Sequence, residues 1–488
     1  MRVVVVGAGL GGLGVALRLQ GAGHEVVVVE GRERPGGRAY QLRDAGFTWD
    51  MGPSLITMPW VLREAFAAGG LDLDREVTLR ALDPFYRIRW AGEERSLDMV
   101  PADRMPAQIA RFSSRDAAAF DGFLAALKPI YEEGILGAGR QAFLRKRDLL
   151  AFAPRMLRLG AAVPLWRMVC GHFEHPRIRE AFSFHSLFIG GDPFRVPAIY
   201  GALAYLQFLD GVWYADGGVY ALVEAMARTL DVRCGERVTR VEHRGGAVTG
   251  VLLEGGARLA ADAVISNTDV LKAHELLGRR APLRRLTPTM SCLLLYLGCD
   301  RRFDDLLHHT LLVGERYRRF IRDVTREHRL PATYSTYVHA PARSEPAMAP
   351  AGGDSIAILL PVPNLRAGVD WARAGDALRD ALVADLQKTF GLSGLDASIC
   401  VEHRMTPLDF ERELGAADGN AFAVEPTLHQ SAAMRQPNRD RSVRGMYYVG
   451  GGTHPGAGIP GVLLGAQITA ALVAADQPAA PRRPVTHA

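Results

Sequence analysis

The chain opens with the signature of a strand buried on both faces: Val3–Val6 is an unbroken β-branched run, with no polar alternation to mark a wet side. Leu13, Ala16, Leu17 and Leu19 follow at helical spacing, and Gly21 and Gly23 stop the helix. A second apolar run, Val26–Val29, ends at Glu30. Together they predict a strand–helix–strand unit. Further on, Pro84–Trp90 alternates as a strand does, and Phe120, Phe123, Leu124 and Leu127 share one helix face. Arg237–Glu242, Ala247–Leu253 and Arg258–Ser266 read as short strands joined by the hairpin signals Arg244-Gly245-Gly246 and Glu254-Gly255-Gly256. Ser291–Leu297 and Ser355–Val362 read as buried strands of a separate sheet, with helices between them. Tyr447–Val449 predicts a last strand, and Val462, Leu463, Ala466, Ile468 and Ala470 a last, buried helix.

Two stretches raise the question of a membrane. Gly445 to Ala475 contains no Asp, Glu, Lys or Arg and is long enough to span a bilayer. Its first half, however, is glycine-rich and holds His454, Pro455 and Pro460, which predicts a buried loop and helix. Between Arg140 and Arg167, basic residues interleave with large apolar ones and Asp148 is the only acid. Such a stripe reads as a solvated helix face over a core or as a helix lying in a membrane interface. An apolar substrate favours the second.

Composition narrows the classes. The 488 residues are 48% hydrophobic and 23% charged, ordinary soluble proportions that exclude a mostly disordered chain and a multispan membrane protein. The net charge of +5 is spread over the whole length, so no nucleic-acid partner is expected. Cys170, Cys234, Cys292, Cys299 and Cys400 are scattered without a C-x-x-C, and neither a disulfide framework nor a metal site is expected. The first apolar run breaks at Gly7 with no small-residue cleavage region after it, so no secretory signal is read and the expected location is cytoplasmic. The 52 glycines carry no collagen-like period, so their positions matter.

Gly7-Ala8-Gly9-Leu10-Gly11-Gly12 falls at the first strand-to-helix turn. Dinucleotide binding needs that arrangement: Gly7 for the tight turn, Gly9 for approach of a pyrophosphate, Gly12 for close helix–strand packing. Glu30, 18 residues beyond Gly12, can accept hydrogen bonds from ribose hydroxyls and repels a 2′-phosphate, which disfavours NADP. Glu33-Arg34-Pro35-Gly36-Gly37-Arg38-Ala39 resembles the second FAD fingerprint of the amine oxidase and carotenoid desaturase superfamily. The resemblance implies FAD, with Gly37 and Arg38 in the site and Arg38 near the pyrophosphate. Asp50-Met51-Gly52-Pro53-Ser54 reads as a loop returning to that site through Gly52. The strand meander from residue 237 resembles the small sheet of the same superfamily, which makes Val238 an adenine-side backbone contact.

Gly450-Gly451-Gly452-Thr453-His454-Pro455-Gly456-Ala457-Gly458-Ile459-Pro460-Gly461 is similar to the signature of bacterial and fungal phytoene desaturases. Ala181–Ser186, Gly190–Phe194, Pro407–Phe410 and Ala421–Pro426 extend the likeness over nearly the whole chain; Tyr448 departs from it. That resemblance implies backbone N–H groups of Ile459, Gly461 and Val462 facing the isoalloxazine pyrimidine, and Gly451 near the ribityl chain. It also implies desaturation of a long apolar polyene by hydride transfer from an allylic C–H, phytoene towards neurosporene or lycopene, at a membrane surface, with oxygen or a quinone as electron acceptor. The expected location becomes peripheral, on the inner face of the cell membrane.

His185 and His454 are the histidine candidates for polar roles, and Arg147 and Asp148 for stabilising a cation or relaying a proton; a plain ion pair is the alternative for the last two. The rival functions are a related carotenoid oxidoreductase, acting on a diapo-type or hydroxylated carotenoid or as an oxygenase or isomerase, and a non-catalytic escort protein on the same fold. The expected fold class is α/β: a discontinuous Rossmann-like, amine-oxidase-like FAD-binding domain (1–90, 211–275 and 401–475). Into it are inserted a helical substrate and membrane-associating region (91–210) and a mixed substrate domain (276–400), with a disordered tail over 476–488.

Overall fold

The computed structural model describes residues 1–145, 147–280 and 286–476; the tail expected to be disordered therefore lies, from residue 477 on, outside the described residues. Arg2–Val6 is a strand buried from Val3 onward, followed by the helix Leu10–Gly21 and the strand Glu25–Val29, as the opening pattern predicts. These strands belong to a five-stranded parallel sheet ordered Met446–Tyr448, Ala263–Ser266, Arg2–Val6, Glu25–Val29, Asp231–Arg233. One apolar layer packs Leu13, Leu17, Val223, Ile265 and Leu463 on one face. The other layer, with Val4, Val27, Val251 and Val264, joins the sheet to a three-stranded antiparallel ribbon, Val238–Arg244, Ala247–Leu253 and Arg258–Ala260. Helix Ile459–Asp476 is the one described helix long and apolar enough to cross a membrane. It packs against Leu10–Gly21, Pro59–Ala68 and residues 138–140.

Residues 258–266, expected as one strand, divide in two. Ala261 N–H bonds Thr249 O in the ribbon, and one residue on Asp262 N–H bonds Arg2 O in the parallel sheet, so the chain changes sheets at that point.

A second sheet has seven strands, ordered Ile399–Met405, Ser291–Cys299, Asp354–Val362, Thr336–His339, His309–Val313, Tyr86–Trp90, Ser96–Met99. The expected boundaries move accordingly. Tyr86–Trp90 and the start of the last segment at 401 belong to this sheet and not to the nucleotide-binding one. Two of its strands, His309–Val313 and Thr336–His339, fall where helices were expected; their runs are too short to declare a period. Helices from Met105 to Asp210 cover one face through an aromatic layer in which Phe182 is fully buried among Phe120, Phe123 and Phe173. Phe182 is thus a core residue.

The basic stretch forms two helices, Asp148–Arg158 and Leu165–His172. Gly160 ends the first with φ +67° and Ala161 N–H bonds Met156 O, a Schellman-type stop. Only Met156 of the first helix is buried, while Leu150 and Leu157, two turns apart, are 74% and 64% exposed. Leu149, Phe152 and Met156 of the same helix pack inward, so it carries a core-facing apolar side as well as two exposed leucines.

Phe182→Ala removes a fully buried ring from a closed aromatic layer and should cost about 3–5 kcal/mol; a markedly lower Tm by circular dichroism is the expected outcome.

Candidate functional site: a glycine-lined junction at the strand ends

The parallel register sets three strand ends side by side: Val6 pairs Ser266, and Ser266 pairs Tyr448. The next residues are Gly7, Asn267 and Val449, so the glycine loops from opposite ends of the chain emerge at one edge. Gly12 is there because the helix turns under the strand end: a Cβ on it would lie 2.1 Å from Gly7 O. Gly9 caps Leu10–Gly21 with no side-chain acceptor and no acid in the first turn. The N–H groups of that turn are left for a ligand, and the dipole favours an anionic one. Glu30 is buried and accepts from the N–H groups of Ala8 (2.8 Å) and Arg32 (3.0 Å), bracing the turn.

The fingerprint segment packs directly on this loop. Gly36 N–H bonds Ala8 O at 2.9 Å, and Gly37 lies against Gly9. Gly52 returns as expected, but its reason is packing: a Cβ would sit 2.0 Å from Arg38 O. Arg38 reaches across the chain, its guanidinium donating to Ala421 O (2.9 Å), Asn420 O (3.3 Å) and Asn420 Oδ1 (3.2 Å). Burial lowers its pKa, opposed by the charge of Asp269. Val238 starts the ribbon beside Glu30, since Glu236 N–H bonds Glu30 O at 3.0 Å.

The C-terminal loop is held from beneath. Arg435 is 3% exposed and donates to Gly451 O, Val424 O and Gln430 O. Asn438 Nδ2 donates to His454 O at 3.0 Å. Ile459, Gly461 and Val462 form the first turn of the last helix, which carries no acid there. Asn267 joins the two loops: its Nδ2 donates to Gly7 O at 3.3 Å, and its side chain lies against Gly9, Gly11, Gly12 and Gly450. Asn267, Asn420, Arg435 and Asn438 were all missed from sequence. Single polar residues inside apolar segments carry no spacing signal, although Asn420 directly precedes the Ala421–Pro426 segment.

The four candidate catalytic side chains do not converge. His185 is fully buried, its ring stacked on Phe184 at 4.4 Å. Tyr86 O–H donates to Gln207 Oε1 at 2.7 Å, so His185 Nε2–H donates to the Tyr86 oxygen at 2.8 Å. His454 Nε2–H donates to Ala138 O at 2.9 Å, with the ring edge-on to Phe143. Desolvation pushes His185 down to about 3 and His454 down to about 4. Arg147 is exposed, while Asp148 Oδ2 accepts from the N–H groups of Leu144 and Arg145, both at 2.9 Å. The ion pair weighed for Arg147 and Asp148 is absent among the described residues, because that carboxylate caps a turn.

The folded pKa of His185 lies below the unfolded value of 6.5. The unfolded chain therefore binds the extra proton first, and this residue's contribution to stability falls as pH drops below 6.5, by about 1.4 kcal/mol per unit. His185→Gln, titrated by urea unfolding from pH 7.5 to 5, should lose less stability on acidification than the wild-type chain.

Residues 10–474 match the flavin-containing amine oxidoreductase family. The lycopene-forming phytoene desaturase of Pantoea ananas is 40% identical over 487 residues, covering 97% of this chain and 99% of that protein. The neurosporene-forming phytoene desaturase of Rhodobacter capsulatus is 35% identical, covering 97% and 94%. Among solved structures, wild-type putrescine oxidase bound to putrescine superposes with a TM-score of 0.64 at 15% identity, covering 97% of this chain and 99% of that one. Cyclohexylamine oxidase from Brevibacterium oxydans gives 0.61 at 17% identity, covering 97% and 98%; at such identities the likeness shows the fold. The uncapped helix start, the braced acid and the converging glycine loops fit FAD, the cofactor of this fold, and the chain belongs to the flavin-containing amine oxidoreductases, among the bacterial phytoene desaturases.

Proposed function

We propose that the protein is an FAD-dependent phytoene desaturase that introduces double bonds into a linear carotenoid, taking phytoene towards neurosporene or lycopene. The observation that carries the reading is the near-complete alignment, at 40% identity, with a lycopene-forming relative, together with the junction of both glycine loops at one sheet edge. When bound, FAD supplies hydride acceptance at its ring, the chemically hard step for a hydrocarbon without a carbonyl to activate. The chain supplies position and environment. The Leu10–Gly21 helix start, Gly7, Gly9 and Gly12 would receive the pyrophosphate, Glu30 would hold the ribose, and the Val238 backbone would lie on the adenine side. Arg38, with Gly37 and Gly52, fixes the second wall of the site.

N–H groups of Ile459, Gly461 and Val462 would favour negative charge developing on the ring, and Gly451, held by Arg435, would lie near the ribityl chain. His185 and His454 are uncharged near neutrality and weak bases where they sit, so they act as positioning groups rather than proton acceptors. The aromatic layer around Tyr86, Phe184 and Phe188 excludes water.

The substrate's apolarity and the exposed Leu150 and Leu157, on a helix bearing Arg155 and Arg158, support peripheral attachment to the inner face of the cell membrane. Electrons would leave to oxygen or a quinone. A related carotenoid oxidation is the second reading, favoured by 30% identity over 493 residues to the 4,4'-diapolycopene oxygenase of a Methylomonas species.

Incubated with FAD and phytoene-bearing liposomes, the protein should yield products of longer conjugation by chromatography; unchanged phytoene beside bound FAD rejects this substrate, and oxygenated products select the second reading. Gly12→Ala should purify with flavin absorbance reduced by about tenfold or more, given the backbone clash. Paired Leu150→Asp and Leu157→Asp substitutions should abolish co-sedimentation with anionic vesicles while FAD content stays at the wild-type level.

A further inference from the structure

Three histidines outside the nucleotide-binding loops form a separate constellation. His309 opens one strand of the seven-stranded sheet and pairs directly with His339 on its antiparallel neighbour, so both side chains leave the same face. His308 precedes them where the chain enters the strand. All three are buried, and a ring nitrogen of each lies within 4.8 Å of those of the other two. His308 Nε2 and His339 Nε2 stand 3.2 Å apart. That is close to the separation of two nitrogens each about 2.0–2.1 Å from one tetrahedral ion.

Two of the three outer ring nitrogens are already engaged. His308 Nδ1 meets Ser344 Oγ at 2.7 Å; His309 Nδ1 meets Tyr337 Oη at 2.6 Å, which in turn meets Ser54 Oγ at 2.6 Å. Outward bonds of this kind fix ring orientation and tautomer in metal-ligating histidines. His309 Nε2, by contrast, is buried without a hydrogen-bond partner, an arrangement that is costly unless something binds it.

One carboxylate is linked to the cluster through a neighbour: Tyr214, its ring 4.5 Å from that of His308, donates its O–H to Glu345 Oε2 at 2.6 Å.

We propose that His308, His309 and His339 bind a first-row divalent transition-metal ion, with zinc as the reference ion, in a three-histidine site with one open position. Three nitrogen donors without thiolate or carboxylate ligands suit zinc, copper or nickel and not magnesium or calcium. The ion ties together the two strands and, through Ser344, the turn that follows them. No sequence motif announces the site, because two ligands are adjacent and strand pairing alone supplies the third.

The test uses the full-length, FAD-loaded protein, treated with a chelator, incubated with excess Zn²⁺, desalted and assayed for zinc by mass spectrometry and for flavin by absorbance. Wild-type protein and His403→Ala, a partly exposed control, should retain about one zinc per chain, and His309→Ala and His339→Ala less than about a tenth of that. Wild-type protein without stoichiometric zinc, or flavin-containing His309→Ala and His339→Ala retaining as much as wild type, overturns the proposal. If both variants lose their flavin, Co²⁺ in the wild-type protein decides. Intense visible d–d bands of a four-coordinate nitrogen site uphold it; weak six-coordinate bands overturn it. Flavin content and phytoene conversion are read separately, so this site can fail without the proposed desaturase activity failing.

Discussion

The parallel register of Arg2–Val6, Ala263–Ser266 and Met446–Tyr448 is the constraint on which the site depends. Parallel strands all present their carboxyl ends at one edge, and ligands of open α/β sheets bind there. In this chain the three strands come from the beginning, middle and end of the sequence, so the edge collects loops that are hundreds of residues apart. Everything that follows Gly7, Asn267 and Val449 is obliged to share one small space. Glycine is what lets backbones do so, and Asn267 is the side chain that fills what remains between them.

The cofactor edge is held by ties that cross domains rather than by the glycine loops alone. Arg38 spends its guanidinium on carbonyls around residue 420, and Arg435 carries Gly451 from below. Both cations are buried without a carboxylate in direct contact among the described residues; backbone carbonyls, and for Arg38 also Asn420 Oδ1, accept most of their N–H groups, while Arg435 Nε is left without a partner. Such arginines make the loops rigid before any ligand arrives. Preorganisation of this sort is how N–H groups can be aimed where charge develops. The seven-stranded sheet answers a different demand, an apolar and water-poor interior, and burial there favours the uncharged form of His308, His309 and His339.

Much of the nucleotide-binding half was legible because its signals are local. Valine runs, a glycine turn and an acid at a fixed distance report a strand–helix–strand unit within thirty residues, and the structure places each where the pattern did. The C-terminal helix was legible for a similar reason: prolines and glycines ahead of an apolar stretch argue for a buried helix after a loop. The substrate-side sheet was harder. His309–Val313 and Thr336–His339 are only five and four residues long, and strands that short are stabilised by their neighbours, not by their own sequence. Residues 258–266 read as one strand because both halves are β-prone; only the geometry of two sheets meeting there breaks it.

The sequence by itself determined the fold family, the cofactor class and the glycines that admit it, since each of these is written in residues close together along the chain. Tertiary structure decided which polar side chains meet. It set His185 on Tyr86 within the core, separated His185, His454, Arg147 and Asp148 into unconnected roles, turned Leu150 and Leu157 to solvent, and brought His308, His309 and His339 together. The physical reason is range: periodicity and turn chemistry act over a few residues, whereas burial, strand register and hydrogen-bond partnership are properties of the packed whole.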